Sequence, residues 1–367
     1  MEIGKIDFTN KLAKIAIFVL LCEKVYNANG VSGKFSVPVM LILIISGFLY
    51  ICFTQKIKIN FIGILGLVII TCYGFSNESI RYGLFFLMVL IWTEIQPKDM
   101  HWFYYLMIVG GSLFTIIDIL DGISRPSGFL LSPTLFSCFI TLAIMYLLFE
   151  KEGGKLNYIF TLIGVILIYI SESSTALICA LGMIVYKIFI NINLSRKEKQ
   201  QQLISKQKIH FLYGSIIICA IIFCIILFTN LNDILSIVQR GNREDSTKTR
   251  IYYIQIFISQ LTHNIKMLLI GNGGGYTQSF INTTNILSAH MPLHQDILML
   301  VCEYGLIGII GIYHLYFKKL KINWIVWLVL ILFSFHNLIL CPQLMCLLIM
   351  TSNSLNSQYE RNVKLWN

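Results

Sequence analysis

The sequence predicts an all-α protein, a polytopic bundle of about 12 transmembrane helices. Hydrophobic residues make up 56% of the chain and charged residues only 13%, and the mean hydropathy is +0.75. A soluble domain carries about a quarter charged residues. Most long segments are apolar all round, and many approach the roughly 20 residues that cross a bilayer. Backbone groups in lipid must be paired within the segment, and the segments are too uniformly apolar for an alternating barrel, so the spans should be helices.

The apolar segments form one predicted transmembrane domain over residues 1–367. The third, fourth and last segments are short, so each is predicted to be re-entrant or differently tilted. The spans are predicted near residues 12–27, 36–54, 60–75, 82–95, 102–118, 133–149, 157–171, 174–190, 211–230, 296–317, 324–338 and 341–352. Interfacial anchors are predicted at Trp92, Trp102 and Trp324, which lie at span ends.

Basic residues in the loops predict the orientation. The loop at 191–210 carries Arg196, Lys197, Lys199, Lys206 and Lys208, so it should be cytoplasmic. Counting outward from it, both termini are cytoplasmic as well. The net charge of +10 therefore follows from membrane topology, and nucleic acid is not expected as a partner.

The opposite face holds one large predicted periplasmic loop, residues 231–295, between the ninth and tenth spans. Apolar residues spaced three or four apart from Ile251 to Leu261 predict an amphipathic helix in it. The run Gly271-Asn272-Gly273-Gly274-Gly275 predicts a tight turn and not a phosphate cradle, because it lacks the GxGxxG spacing and a preceding strand.

Neither a metal nor a cofactor is predicted. None of the ten cysteines forms a Cys-x-x-Cys pair, and they fall in or beside apolar runs, so they are predicted to be small core residues. No Asp-x-Asp pair lies in an outer loop, which gives no support to a metal-bound sugar nucleotide.

Positive charge on the outer face runs against the orientation rule and needs a reason. Arginine is suited to bidentate contact with phosphate oxygens, so an anionic substrate is one interpretation. The alternatives are solvation or pairing with Asp118, Asp121, Glu244 and Asp245. The arginines concerned are Arg81, Arg125, Arg240, Arg243 and Arg250.

A second candidate group begins just before the tenth span. His290 and His294 lie at the predicted membrane surface, where an imidazole can act as a base, although a structural role is the alternative. Glu303 lies about two and a half turns beyond His294, and an ionisable residue within a span is a functional candidate. The hydroxyls of the Ser171–Thr175 turn are predicted to cap the following helix.

Three elements resemble the bacterial O-antigen polymerase and O-antigen ligase superfamily. The first is Arg125 through Pro133, and the second is the large loop, with Arg250 opening its helix before the glycine run. The third is His294 through Gly308, which matches the family's histidine, leucines, and glutamate-glycine-leucine-isoleucine-glycine pattern. The chain departs from the family at Gln295, where asparagine is common, and in the 171–175 turn, which lacks an arginine.

The resemblance implies a metal-independent glycosyltransferase of the bacterial inner membrane that acts on undecaprenyl-pyrophosphate-linked glycans. It implies Arg125, Arg250 and His294 as catalytic residues, and Arg240, Arg243, Glu303 and His290 as substrate-binding residues. A chain-length regulator and a flippase are implied as further partners. We expect a polymerase that joins lipid-linked repeat units. The alternatives are a ligase that transfers the glycan to lipid A–core, a flippase or secondary transporter, and a scaffold protein.

Overall fold

The fold is given by a computed structural model that describes residues 11, 14–15, 17–18, 21, 37–54, 61–74, 77–95, 97, 100–150, 154–199, 244–284, 293, 295–317, 329–330, 334 and 340–364. Every regular element in these ranges is helical, which confirms the all-α prediction. In chain order the helices are α1 (Val37–Thr54), α2 (Phe61–Cys72), α3 (Asn77–Trp92), α4 (His101–Leu120), α5 (Pro133–Phe149), α6 (Lys155–Ile170), α7 (Ser174–Lys199), α8 (Glu244–His263), α9 (Ile265–Ile270), α10 (Tyr276–Thr284), α11 (Asp296–Ile312) with a π-helical turn (Tyr313–Phe317), and α12 (Pro342–Lys364).

The helices coincide with nine of the predicted spans. The predicted spans at 12–27, 211–230 and 324–338 lie largely outside the described residues. Among the described helices, two are long and apolar enough to cross a membrane, namely His101–Leu120 and Asp296–Tyr316, and five further apolar helices are shorter. The helical class is therefore established, while the number of spans stays a prediction.

The chain divides into two compact units, and the packing and sites that follow belong to the first. That unit comprises Met1–Met183 and Arg250–Asn367, and the second comprises Ile184–Thr249. In the first unit, α5 packs on α4, α6 and α12, α3 packs on α1, α2 and α12, and α11 packs on α9 and α10. The stretches 135–148 and 341–355 are buried on all sides, so α5 and α12 form the centre of the packing.

Helix α12 extends well beyond the predicted last span, 341–352. Helix α12 continues to Lys364 through a polar run at 351–354 that is buried and bonded within the unit. Asn353 donates from Nδ2 to the backbone carbonyls of Thr93 at 3.2 Å and Ile95 at 2.8 Å. The hydroxyl of Thr351 pairs with that of Tyr104. These partners are far away in sequence. The local sequence alone therefore makes the polar run resemble the end of a membrane span.

A buried carboxyl group joins three helix ends beside this polar run. The Oε1 of Glu150 lies 2.9 Å from His101 Nδ1 and accepts from the Tyr146 hydroxyl at 3.0 Å. Asn157 donates from Nδ2 to Glu150 Oε2 at 3.3 Å and to the Leu147 carbonyl at 3.0 Å. The end of α5 and the beginnings of α4 and α6 therefore meet at one end of the helices, which we call the Glu150 end.

The opposite ends of the same helices carry the candidate residues. Helices α3 to α6 contain 16 to 20 residues each, which corresponds to roughly 24–30 Å. Successive helices run in opposite directions from the Glu150 end. The α2–α3 turn, the α4–α5 loop and the α6–α7 turn therefore lie at the other end.

The prediction of an interfacial anchor at Trp92 is wrong. Its side chain is fully buried, and its Nε1 donates to the Leu43 carbonyl at 3.0 Å. Trp102, in the first turn of α4, is 70% exposed and stays a candidate anchor. Trp324 lies outside the described residues.

Candidate functional site

The α4–α5 loop holds Arg125 in an ordered segment. Asp118, buried near the end of α4, accepts a hydrogen bond from the Ser127 backbone at 2.8 Å. Gly128 has a φ of +56° and lies so close to Phe136 that a Cβ would overlap the ring. Only glycine fits this position without strain. The loop is thus fixed to both helices that it connects.

Arg125 bridges this loop to the α6–α7 turn. Its Nη2 donates to the carbonyl oxygens of Ser171 at 3.3 Å and Glu172 at 3.4 Å. Its Nε lies 3.5 Å from Glu172 Oε2. Two connections that are 46 residues apart in sequence therefore meet through one guanidinium group.

The α6–α7 turn is strained at Glu172 and contains the buried hydroxyl of Ser173. Glu172 has a φ of +52° and is the one non-glycine residue with positive φ in the described part of the chain. Ser171 donates to the Leu167 carbonyl at 2.9 Å. The buried Ser173 Oγ has no hydrogen-bond partner among the described residues. The predicted side-chain cap is therefore not observed for Ser173.

Arg81 forms an ion pair, as one of the two interpretations predicts, but its partner is Glu78, which is not among the four predicted acidic partners. Its Nη1 lies 2.8 Å from Glu78 Oε1, one turn earlier in α3. Both side chains are partly exposed, so the pair contributes little to stability.

Helix α11 is broken at Gly305, inside the third element of the resemblance. Gly305 has φ +67° and ψ 179°, which is not helical. A Cβ on Gly305 would overlap the backbone of Leu269 and Ile270 in α9. The break therefore allows the backbone of α9 to approach that of α11 closely.

The glycine loop, residues 271–275, inserts into this break. The amide of Gly273 donates to the Glu303 carbonyl at 2.8 Å, and that of Asn272 donates to the Cys302 carbonyl at 3.0 Å. These carbonyls lie at the break, where the regular backbone hydrogen bonding of the helix is interrupted. Gly271 has positive φ, and a Cβ there would overlap the backbone at Glu303. The run is a tight turn, as predicted, but it also binds α11.

The other side of the glycine loop faces the α2–α3 turn. Gly274 donates from its amide to the Tyr73 carbonyl at 3.0 Å, and the Tyr73 hydroxyl donates to the Gly271 carbonyl at 2.9 Å. A Cβ on Gly74 would overlap the Gly274 backbone. The loop is therefore held between the α2–α3 turn and α11.

Glu303 is fully buried beneath the glycine loop. Its Oε1 accepts hydrogen bonds from the Thr277 hydroxyl at 2.6 Å and from the Thr277 amide at 3.3 Å. Its Oε2 is buried without a hydrogen-bond partner among the described residues. Its carboxylate also interacts with the Gly275 amide and with the Tyr82 hydroxyl of α3, so Glu303 contacts the glycine loop and α3 as well as the start of α10, where a substrate contact was predicted.

Arg250 lies in the second turn of α8, and its side chain is outside the described residues. The helix itself confirms the predicted helix in the large loop. Its buried face is made by Tyr253, Phe257 and Leu261, while Ile258 is 43% exposed. The predicted apolar stripe is therefore shifted by part of a turn, and Tyr253 belongs to the buried face.

Four predicted site residues, Arg240, Arg243, His290 and His294, lie outside the described residues, so their roles stay predictions. Of the other three, Arg125 and Glu303 belong to separate sets of contacts, one at the α6–α7 turn and one at the glycine loop. Sequence reasoning missed Thr277 and the partnership of Arg125 with Glu172. No local signal marks Thr277, because its partner is 26 residues away.

Within the described ranges, no group of three or more His, Cys, Asp or Glu side chains could hold a metal ion. Comparison with known protein families and with curated proteins finds no match to the chain.

Proposed function

We propose that the protein is a polytopic membrane glycosyltransferase that joins undecaprenyl-pyrophosphate-linked oligosaccharide repeat units at the outer face of the bacterial inner membrane. On two helices, large apolar side chains point outward while an acidic side chain is buried, which supports the membrane part of this proposal. On α4, Leu120 is 80% exposed and Asp118 is 1% exposed. On α11, Ile307 is 63% exposed and Glu303 is fully buried. Apolar faces of this extent are stable in lipid and unfavourable in water.

One observation carries the enzymatic part of the proposal. Two of the three sequence elements that resemble the superfamily, the glycine run and the glutamate-tyrosine-glycine segment, bind each other through Gly273 and Glu303. The third element, with Arg125, lies at the same end of the helices as this contact. The three sequence elements, which are far apart along the chain, thus lie at the end of the helices opposite the Glu150 end, as a common active site requires.

The proposed reaction transfers a glycan between two lipid carriers. A sugar hydroxyl of the acceptor attacks the anomeric carbon of the donor, and the bond from that carbon to the pyrophosphate oxygen breaks. The undecaprenyl pyrophosphate leaves with the electron pair, and His294 takes the hydroxyl proton. Arg125 and Arg250 stabilise the charge that develops on the pyrophosphate, with Arg240 and Arg243 as further anion contacts and His290 beside the acceptor.

The test uses Arg250→Ala and His294→Ala in living cells, with gel profiles of the surface polysaccharide as the readout. Long chains should disappear while the protein stays in the membrane. Arg81→Ala is the matched arginine control, because Arg81 pairs within its own helix. His263→Ala is the histidine control, because its ring contacts the Ser259 carbonyl in its own helix at 2.7 Å. Normal chain lengths in both site variants would rule out the mechanism.

A deletion strain separates the proposed activity from its alternatives. Loss of a polymerase leaves lipid A–core that bears one repeat unit. Loss of a ligase leaves bare core, with polymer retained on undecaprenyl pyrophosphate. Loss of a flippase leaves single lipid-linked units on the cytoplasmic face. Only the first outcome supports a polymerase.

A further inference from the structure

Helix α8, which carries Arg250, is connected to α10 by two side-chain contacts. The rings of Phe257 and Phe280 lie 5.4 Å apart in an edge-to-face arrangement. The Tyr276 hydroxyl donates to Gln260 Oε1 at 3.2 Å. Phe257 is fully buried, so its ring contact with Phe280 is shielded from solvent. A shift of α10 should therefore move α8 with it.

Helix α10 is in turn bonded to α11 by Thr277 and Glu303. The Oε1 atom of Glu303 accepts hydrogen bonds from both the hydroxyl and the amide of Thr277, which is the second residue of α10. An acceptor at a helix N-terminus satisfies an amide that has no partner within the helix. The bond is inaccessible to water because Glu303 is fully buried and Thr277 is 1% exposed.

The glycine loop adds a rigid backbone connection beside this side-chain bond. It contributes two backbone hydrogen bonds to the break in α11, through Asn272 and Gly273. Gly271 and Gly305 bring the two backbones closer than any side chain would allow. Several short contacts at one place leave little freedom for α9 and α10 to slide along α11.

We infer, building on the proposed function, that Thr277 and Glu303 are positioning residues that fix α8, the helix of Arg250, relative to α11. Arg250 lies on α8, which contacts α10 through Phe257 and Gln260. His294 is the residue before Gln295, whose side chain caps α11 by accepting from the Leu298 amide. The Thr277–Glu303 bond therefore connects the helix of the proposed pyrophosphate contact, through α10, to α11, which begins two residues after the proposed base in the sequence. Misplacement of catalytic groups by about 1 Å can reduce a rate ~100-fold.

The experiment compares three variants of the full chain in lipid nanodiscs. The substrate is lipid-linked oligosaccharide extracted from the same bacterium after deletion of this chain. Thr277→Val removes the hydroxyl donor, and Thr277→Ser restores it. Thr283→Val is the matched control, because Thr283 is exposed on α10 and bonds the Ser279 carbonyl of its own helix at 3.0 Å.

Thr277→Val should lower kcat at least ~10-fold and leave KM within about twofold, because orientation is lost while binding is kept. Thr277→Ser should restore kcat to within about twofold of the native value, and Thr283→Val should not change it. If Thr277→Val turns over as fast as Thr283→Val, the positioning role is wrong. A loss that Thr277→Ser does not rescue contradicts it as well.

Hydrogen exchange provides a readout that does not depend on activity. Amides of residues 271–277 should exchange faster in Thr277→Val than in Thr283→Val, while α5 and α12 keep native protection. Unchanged exchange in Thr277→Val overturns the inference, whether or not the native protein polymerises the substrate. A native protein without polymerisation activity overturns the proposed function only. If Thr277→Val does not accumulate in membranes, Glu303→Gln replaces it, with the same kinetic signature expected because an amide oxygen accepts more weakly.

Discussion

Arg125 and Glu172 form an ion pair between two connections at the end of the bundle, with Arg125 Nε 3.5 Å from Glu172 Oε2. Their side chains are 27% and 38% exposed, so the pair is worth at most about 1 kcal/mol. A guanidinium group binds carboxylate and phosphate oxygens with similar geometry. An incoming phosphate can therefore displace the Glu172 carboxylate at little cost in free energy.

Glu172→Gln should lower the KM for the lipid-linked donor, because the competing carboxylate is gone. We expect a ~2- to 5-fold decrease, which corresponds to less than about 1 kcal/mol. Arg125→Ala should raise the same KM. Glu78→Gln is the matched control, because Glu78 pairs with Arg81 at the same end of the helices. An equal KM in Glu172→Gln and Glu78→Gln would contradict competition at Arg125.

Asp118 should be needed for the order of the α4–α5 loop. Removing its carboxylate in Asp118→Ala leaves the buried Ser127 amide without this acceptor, which should cost ~1–3 kcal/mol of unfolding free energy. Thermal unfolding in detergent and hydrogen exchange of residues 121–132 measure the effect. Asp121→Ala is the control, because Asp121 is exposed at the end of α4. Equal stability of the two variants would show that the Asp118 bond does not hold the loop.

Gly305→Ala should destabilise the break in α11. The backbone at φ +67° and ψ 179° is accessible almost only to glycine, and a Cβ would also overlap α9. We expect a loss of at least ~2 kcal/mol in unfolding free energy. Gly311→Ala in the same helix has open space around the added Cβ, so it should be neutral or stabilising by up to ~1 kcal/mol. Similar melting temperatures for both variants would refute the described break.

Local sequence signals predicted the helices where the partners are also local. The predicted and observed bounds of α5 agree because Ser132 caps the helix, accepting from the Leu135 amide, and Pro133 occupies its first position. The predicted span 341–352 covers only the first half of α12, because the buried position of Asn353 depends on carbonyls about 260 residues away. Apolar length and capping therefore predict helices, while buried polar pairing requires the tertiary structure.

The same contrast between local sequence signals and tertiary pairing applies to the candidate site. The resemblance drew attention to the glycine run and to Glu303, but no spacing rule predicts that they bind each other. The partnership of Arg125 with Glu172 likewise depends on two connections that meet only in the folded chain. Residue type thus indicated which groups carry chemistry, and packing decided their partners.

The membrane orientation yields the last prediction, because the proposed reaction requires the candidate residues on the outer face. The five basic residues of 191–210 should retain that loop in the cytoplasm. Reporter fusions at Glu150 and Gly154 should then show cytoplasmic activity, since they lie at the Glu150 end. Fusions at Glu172 and Tyr253 should show periplasmic activity. Paired reporters, with alkaline phosphatase active outside and a fluorescent protein active inside, give every position a positive signal. A cytoplasmic Tyr253 would separate Arg250 from any extracytoplasmic lipid-linked glycan, and the proposed reaction could not take place there.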